Sequence, residues 1–208
     1  MDPVTAELRD GSVVAIRPIA PDDGERLRAA FHRLSPESRR RRFMAPADDL
    51  SDEDLMYLVE VDHHRHEAVV ATDPESGDIL GVARWVRQPG RREVAELAVA
   101  VVDDWQGRGM GTELVTHANA RAREEGIERY HAIVSPDNVQ VIEALERHGA
   151  VRREEAGEPG TIDFEAEVPG EGVGAGLAEG LRAAARGQLR FVGAAADWLR
   201  ALVPWARD

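Results

Sequence analysis

The stretch from residue 94 to residue 126 constrains the fold of this chain more than any other. An apolar run ends at Asp103, a short loop with three glycines follows, and a helical pattern of apolar residues comes next. The unpaired N–H groups of a first helical turn point outward, and the helix dipole favours negative charge there. Glycine lets the backbone approach a phosphate closely. The stretch therefore predicts a strand, a turn and a helix that together hold a pyrophosphate.

The spacing of the loop glycines excludes two common phosphate sites. A dinucleotide site has the pattern G-x-G-x-x-G after a first strand, with an acidic residue about 20 positions later. The glycines here are Gly107, Gly109 and Gly111, and several predicted strands precede them. A P-loop ends in Gly-Lys followed by Ser or Thr, and this loop does not. The glycine spacing by itself predicts an anion as ligand and leaves its chemical class open.

Composition narrows the possible functions further. The chain of 208 residues has no cysteine, which excludes disulfides, thiolate metal sites and a cysteine nucleophile. Its net charge of -13 argues against a general nucleic-acid binder and suits either simple solubility or a cationic substrate such as an amine. The first residues lack the apolar core of a secretory signal, and no apolar run reaches the roughly 20 residues of a membrane span. We expect a cytoplasmic protein without a membrane partner.

Periodicity and turn residues predict an α/β chain. Before the loop we expect a strand at 12–19, a helix from Pro21, a short helix from Ser35, a helix at 50–61 capped by Ser51, and strands at 67–72, 79–86 and 94–102. The length and apolar character of the strand at 94–102 indicate burial on both faces. After the loop we expect a helix ending at Gly126, a strand at 129–134, a helix with Val141, Ile142 and Leu145 inward, and strands at 151–154 and 161–168.

The composition changes after residue 168, so we divide the chain into a domain at 1–168 and a tail at 169–208. The tail begins with a stretch rich in glycine and alanine that is typical of a linker. Apolar residues then recur at helical spacing from Leu177 to Val203, flanked by arginines. This amphipathic helix can dock on the domain, pair with a second copy to form a homodimer, or lie on an anionic membrane. Its many alanines favour docking or self-association.

Two charged clusters each have two interpretations. Arg39 to Arg42 either contact the phosphates of a nucleotide or an acidic partner, or form a solvated helix face. The second cluster runs from Asp62 to Glu67 and contains three histidines. It invites a metal hypothesis, but no second shell is evident to orient the ligands. A polar loop before a strand is the favoured interpretation.

The pattern Gln106-x-x-Gly109-x-Gly111 resembles the acyl-CoA loop of the GNAT superfamily of N-acetyltransferases. The predicted order of elements over residues 10–168 is similar to that fold, a mixed and mostly antiparallel sheet flanked by helices. Asn138 matches the asparagine that commonly begins the next helix of the family and contacts the cofactor arm, and His148 to Ala150 match a Gly-Phe position. The resemblance implies acetyl-CoA as co-substrate and no metal. The implied cofactor-binding residues are Leu97, Ala98, Val99, Val101, Gln106, Gly107, Arg108, Gly109, Met110, Gly111, Thr112 and Asn138.

Further motifs resemble bacterial Pat-like protein lysine acetyltransferases. They are the segment from Leu34 to Phe43, the pair Val61-Asp62 with Arg65-His66, the segment Gly81 to Arg84, and Asp103 to Gly107. The resemblance implies that the acceptor amine belongs to a protein lysine. A small amine is the alternative acceptor, and a CoA-binding sensor without catalysis is the alternative of another class. Acceptor pockets are built from variable loops, so the sequence gives little information about the identity of the acceptor.

Amide formation needs a base, because a lysine amine with a pKa near 10.4 is mostly protonated at neutral pH. Glu96 lies where the family places a general-base glutamate. It either serves as that base or is a polar residue at a strand end, and we favour the base because a carboxylate in an apolar strand is costly unless it faces a cleft. The resemblance also implies that amides near Leu97 to Val99 hold the thioester carbonyl. Many family members carry an acidic tyrosine where this chain has Leu145, although Pat-like proteins often lack it.

Overall fold

A computed structural model describes residues 2–36, 49–134, 136, 139–147, 149–153, 162–175 and 178. These residues form one sheet of eight strands in the order β1-β2-β3-β4-β5-β6-β8-β7. The strands are β1 (Val4–Glu7), β2 (Val13–Pro18), β3 (His66–Thr72), β4 (Ile79–Arg87), β5 (Val94–Val101), β6 (Arg129–Val134), β7 (Val151–Arg153) and β8 (Ile162–Glu167). The helices are α1 (Gly24–His32), α2 (Asp52–Val59), α3 (Met110–Glu124) and α4 (Val139–Arg147), with short 3-10 turns at Pro21–Asp23 and Asp103–Trp105. In the described part of the chain, no helix is long and apolar enough to cross a membrane.

The β5–β6 junction sets this sheet apart from a regular antiparallel one. Every other neighbouring pair is antiparallel, whereas β5 and β6 are parallel. They pair through only three positions, from Val94 opposite Arg129 to Glu96 opposite His131. β4, in contrast, pairs with β5 as far as Val101. Among the described residues, the second half of β5 therefore has β4 on one side and no paired strand on the other.

Helix ends follow from their terminal residues. Ser51 accepts the N–H of Asp54 at 3.1 Å, and the Asp54 carboxylate accepts the N–H of Ser51 at 2.9 Å, which completes the predicted cap as a capping box. Gly126 adopts a φ of 74° just after α3, and the Ile127 N–H then reaches back to the Ala122 carbonyl at 2.8 Å. The left-handed conformation closes the last turn at low cost only in glycine.

The core lies on both faces of the central strands. Gly81 of β4 faces α3, and a Cβ at that position would lie 2.9 Å from Leu114 Cδ1 and 3.1 Å from Met110 Sδ. A side chain there would push the helix away from the sheet, so glycine sets the depth at which α3 packs. Leu27, Phe31 and Leu58, from α1 and α2, line a pocket on the other face of β4 and β5. Helices thus cover the sheet on two sides, as the predicted fold class requires.

Residues 169–175, which follow the last strand, contact the domain along α3. The buried Asn119 of α3 donates to the Gly172 carbonyl at 2.9 Å and accepts from the Tyr130 hydroxyl at 2.9 Å. Arg123 also donates to the Pro169 carbonyl. The first residues of the predicted linker are therefore fastened along α3.

Within the described residues, the strands and helices predicted from the sequence are present, with two corrections. The short helix predicted from Ser35 lies almost wholly outside these residues and stays a prediction. β1 was not predicted, because only two of its four residues are apolar and it is mostly exposed. The prediction that the strand at 94–102 is buried on both faces is wrong: Val94 and Ala95 are buried, but positions 96–101 are half-buried. The physical reason is the divergence of β6, which opens one side of β5. The arginine run at 39–42, Asn138, the loop at 154–161 and the C-terminal helix lie outside the described residues.

Candidate active site

The glycine loop lies between the end of β5 and the start of α3. Gly107 and Gly109 have φ values of 78° and 97°, which favour glycine strongly. The N–H groups of Thr112 and Glu113 turn back to the Gly109 carbonyl, at 2.9 and 3.3 Å. Within the described structure, the N–H groups of Met110 and Gly111 have no acceptor. The loop therefore presents free main-chain donors at a helix N-terminus, which is the arrangement that binds phosphate.

Two loop side chains brace this main chain. The Gln106 side-chain amide donates to the Val101 carbonyl at 3.0 Å and to Asp103 Oδ1 at 3.2 Å. The Arg108 guanidinium donates to the Asp104 carbonyl at 2.8 Å and stacks on the Trp105 ring at 4.6 Å. The side chains of Gln106 and Arg108 thus stabilise the shape of the loop, and its backbone N–H groups stay available to bind an anion.

The hairpin between β1 and β2 also reaches the loop. The Arg9 N–H donates to the Arg108 carbonyl at 3.0 Å, and Arg108 pairs with Asp10 at 3.1 Å. The Arg9 side chain lies 3.3 Å from where a Cβ of residue 109 would stand. It adds a positive charge beside the free N–H groups. Sequence reasoning missed Arg9 because it missed β1, and an arginine in an acidic N-terminal segment carries no signal of its own.

The half-buried part of β5 carries Leu97, Ala98, Val99 and Val101. The register with β4 places Leu97, Val99 and Val101 opposite Trp85, Ala83 and Gly81, on the face that α3 covers. Ala98 and Ala100 lie on the opposite face, where Ala100 helps to line the mostly apolar pocket under α1 and α2. The edge of β5 beyond Glu96 keeps backbone groups available, as an acyl-CoA arm would require.

Glu96 lies at the point where β6 leaves β5. Its side chain is 12% exposed, and its Oε1 lies 3.8 Å from Nδ1 of His131. Its Oε2 is buried and has no hydrogen-bond partner among the described residues. The observed register therefore brings Glu96 to the opening of the sheet, with one carboxylate oxygen that has no hydrogen-bond partner in the described structure.

His131 and Asp163 extend this site, and sequence reasoning missed both. The His131 Nε2 lies 3.5 Å from Asp163 Oδ2, and the Gln88 side-chain amide lies 2.8 Å from Nδ1 of the same ring. Burial lowers the pKa of His131, but the nearby carboxylates of Glu96 and Asp163 outweigh burial and raise the pKa. The only signal in the sequence was a histidine inside a β-strand pattern.

Leu145, at the position of the family's acidic tyrosine, packs in a small apolar cluster with Ile142, Ala150 and Phe164. It has no group that can protonate a thiolate. Asn138 is outside the described residues, so its predicted contact with the cofactor stays a prediction.

The histidines at 63, 64 and 66 each have a different partner. His63 Nδ1 lies 2.8 Å from Glu67 Oε1, His64 Nδ1 lies 2.9 Å from Glu125 Oε2, and His66 Nε2 lies 2.7 Å from Arg84 Nη1. Burial, followed by the charge of Arg84, lowers the pKa of His66 to about 3. In the part of the chain that the structure describes, no group of three or more metal-ligating side chains converges.

Comparison with known proteins agrees with this geometry. A model of the acetyltransferase (GNAT) family matches residues 27–150. Acetyltransferase Pat of Mycolicibacterium smegmatis is 34% identical over 170 residues, which cover 80% of this chain and 49% of that protein. An acetyltransferase of Pseudomonas aeruginosa is 33% identical over 135 residues, 63% of this chain and 71% of that protein. The chain therefore belongs to the GNAT family of acetyltransferases, and the predicted resemblance is confirmed.

Solved structures show the same fold. The GNAT domain of S. lividans PAT superposes with a TM-score of 0.67 at 31% identity, covering 79% of this chain and 96% of that one. A cAMP-binding acyltransferase from Mycobacterium smegmatis superposes with a TM-score of 0.53 at 29% identity, covering 91% of this chain and 55% of that one. The chain thus spans about half the length of the M. smegmatis proteins that it matches.

Proposed function

We propose that this chain transfers an acetyl group from acetyl-CoA to an amine, with the side chain of a protein lysine as acceptor. The proposal rests on the observation that β5 connects two candidate functional groups. Its C-terminal end leads into a loop with free N–H donors, and its unpaired edge leads back to a buried carboxylate at the sheet opening. β5 therefore connects the groups proposed to bind phosphate, in the loop and at the start of α3, with the carboxylate proposed to accept a proton.

The loop and the start of α3 are suited to the phosphates of the cofactor. The main-chain donors of Met110 and Gly111 supply hydrogen bonds, and Arg9 supplies charge. The backbone of Leu97, Val99 and Val101 supports the extended arm, with strand-like hydrogen bonds along the open edge. Acetyl-CoA supplies an acyl thioester, whose carbon accepts the amine while the carbon–sulfur bond breaks. An amide of β5 beyond Glu96 is positioned to donate to the carbonyl oxygen as charge develops there.

Glu96 is the proposed base. It stands at the last β5–β6 pair, opposite His131, and its Oε2 has no partner in the described structure. The carboxylate accepts the proton that the amine nitrogen loses as the amide bond forms. No covalent enzyme intermediate is needed, in keeping with a chain that contains no cysteine. The thiolate leaves without an acid from Leu145, which is feasible for a thiol with a pKa of about 8.5.

Three observations support a protein lysine as the acceptor. Two of the similar proteins are named Pat, the sequence resembles the motifs of that group, and the net charge of -13 suits a basic partner.

Acetyl transfer to a protein extract tests this proposal directly. The chain is incubated with acetyl-CoA and an extract whose lysines are largely unmodified, and acetyl-lysine is located by mass spectrometry. A parallel reaction uses Glu96→Gln, and another replaces the extract with a small polyamine. We expect acetylated lysines with the wild-type chain and far fewer with the variant. Modified polyamine without modified protein would instead assign a small-molecule acceptor, and no transfer to either would refute the proposed function.

A further inference from the structure

Glu96, His131 and Asp163 form a linked row across three strands. Glu96 is on β5, His131 stands opposite it on β6, and Asp163 is on β8, two residues from the partner of His131 in the register. Side chains two residues apart in a strand share a face, so all three lie on one face of the sheet. Phe164, which alternates with them, packs instead toward α4 on the other face. The row therefore lies on the face of the sheet that carries Glu96, opposite the face on which α4 packs.

The carboxylates on this face differ in how many basic side chains lie near them. Glu165, on the same face, lies near three arginines: Arg91, Arg129 at 3.5 Å and Arg153 at 3.4 Å. Glu96 and Asp163 have only His131 as a basic side chain within 4 Å, among the residues that the structure describes. A buried carboxylate is costly unless it is compensated, so the arginines account for Glu165 but leave His131 to serve two carboxylates.

The ring of His131 is held in one orientation. Gln88 Nε2 lies 2.8 Å from Nδ1, and Asp163 Oδ2 lies 3.5 Å from Nε2. In the neutral ring, Nδ1 accepts from Gln88 and Nε2–H points to Asp163. Nδ1 also faces Oε1 of Glu96 at 3.8 Å, whereas Oε2 of Glu96 points away from the ring without a partner in the described structure. One oxygen of Glu96 thus meets the histidine, and the other is left for the acceptor.

We propose that His131, held by Asp163, is a positioning residue for Glu96 that takes over the proton removed from the acceptor amine. The inference rests on the proposed function of Glu96. The amine proton passes to Glu96 as the nitrogen–carbon bond forms and the carbon–sulfur bond breaks. The Gln88 amide then releases Nδ1 of neutral His131, and the proton moves from Glu96 to that nitrogen, which restores the carboxylate. The imidazolium finally releases the proton to solvent. Asp163 keeps Nε2–H in place and stabilises the charged ring.

This arrangement predicts how kcat depends on pH. Transfer begins with neutral His131, so kcat rises with pH as the ring loses its proton. The charged groups that face the ring are Glu96 from β5 and Asp163 from β8, with Glu165 beyond them among its arginines. Because the charge of Asp163 favours the imidazolium, Asp163→Asn shifts the rise in kcat to lower pH by about one pH unit. His131→Asn abolishes that rise and lowers kcat, with the KM for acetyl-CoA unchanged.

The test is the pH profile of kcat for the wild-type chain, Asp163→Asn and His131→Asn. His64→Asn is the matched control, because His64 also pairs with a glutamate, at 2.9 Å, but on the surface. Titration of the histidine ring protons by NMR, without acetyl-CoA, gives a second reading of the His131 midpoint in the wild-type chain and in Asp163→Asn. The resonance of His131 is the one that His131→Asn removes.

We expect the kcat profile and the NMR midpoint of Asp163→Asn to move together to lower pH, with the profile of His64→Asn unchanged. An Asp163→Asn profile that coincides with that of the wild-type chain would overturn the inference. If His131→Asn does not fold, the isosteric Asp163→Asn decides the question alone. Failure of this inference is separate from failure of the proposed function, because wild-type acetyl transfer with an unmoved profile removes only His131.

Discussion

At the scale of single residues, a few polar side chains account for both local shape and candidate chemistry in the molecule. Asp62 shows how a carboxylate shapes a turn before β3. Its Oδ1 accepts the N–H groups of His64, Arg65 and His66 at 3.0, 2.7 and 3.0 Å. Burial raises the pKa of Asp62, but these three hydrogen bonds outweigh burial and lower it to about 2. The segment with three histidines is thus a turn organised by one aspartate.

The low pKa of Asp62 predicts a pH-dependent contribution to stability. A carboxyl group whose pKa is lower in the folded state stabilises the fold above its unfolded value, near 3.8, and loses that effect as pH falls toward 2. Asp62→Asn keeps an acceptor oxygen but loses the charge. We expect the variant to be less stable than the wild-type chain at pH 7, with a difference that shrinks below pH 4. Urea unfolding at pH 7, 4 and 2.5 measures this. A constant difference at every pH would contradict the assignment.

Residue-level reasoning from the sequence found part of the site and missed part of it. Glu96 was found because a carboxylate in an apolar strand, just before a glycine loop, is unusual. His131 and Asp163 were missed because their meeting depends on the register of β5, β6 and β8. Register is set by pairing over long sequence separations, and no local pattern specifies it here.

At the scale of elements, the loop and α3 act as one unit. The glycine pattern predicted the loop correctly, because positive φ at Gly107 and Gly109 is a local requirement. The opening between β5 and β6 was not predicted from periodicity, since an apolar run does not show where a neighbouring strand departs. The prediction of burial on both faces failed for that reason, at positions 96–101.

Replacing Gly109 tests whether the loop contributes to acetyl-CoA binding as well as to the stability of the fold. Gly109→Ala places a side chain at a φ of 97° and within 3.3 Å of Arg9, beside the free N–H groups. Gly126→Ala is the matched control at the other end of α3, with a φ of 74° and open space around it. We expect each change to lower the free energy of unfolding by about 1 kcal/mol. Only Gly109→Ala should weaken acetyl-CoA binding in a calorimetric titration. Equal affinity in the two variants would place the phosphates elsewhere.

At the scale of the whole molecule, the fold and the family follow from the sequence more securely than the acceptor does. Element order, the loop and its helix are local features, and they led to the GNAT fold that the comparisons confirm. The acceptor depends on surfaces at the sheet opening, which no short motif encodes. The chain also spans about half of the M. smegmatis Pat that it matches, so the partners of the whole protein are a separate question.

The central claim is that β5 carries the base and leads into the cofactor loop. The most direct test compares the wild-type chain with Glu96→Gln in two measurements, the affinity for acetyl-CoA by calorimetry and the rate of acetyl transfer at pH 7. The amide keeps the size of the side chain but removes the proton acceptor. We predict equal affinity and a loss of at least about 100-fold in rate. Unchanged turnover in Glu96→Gln would contradict the account.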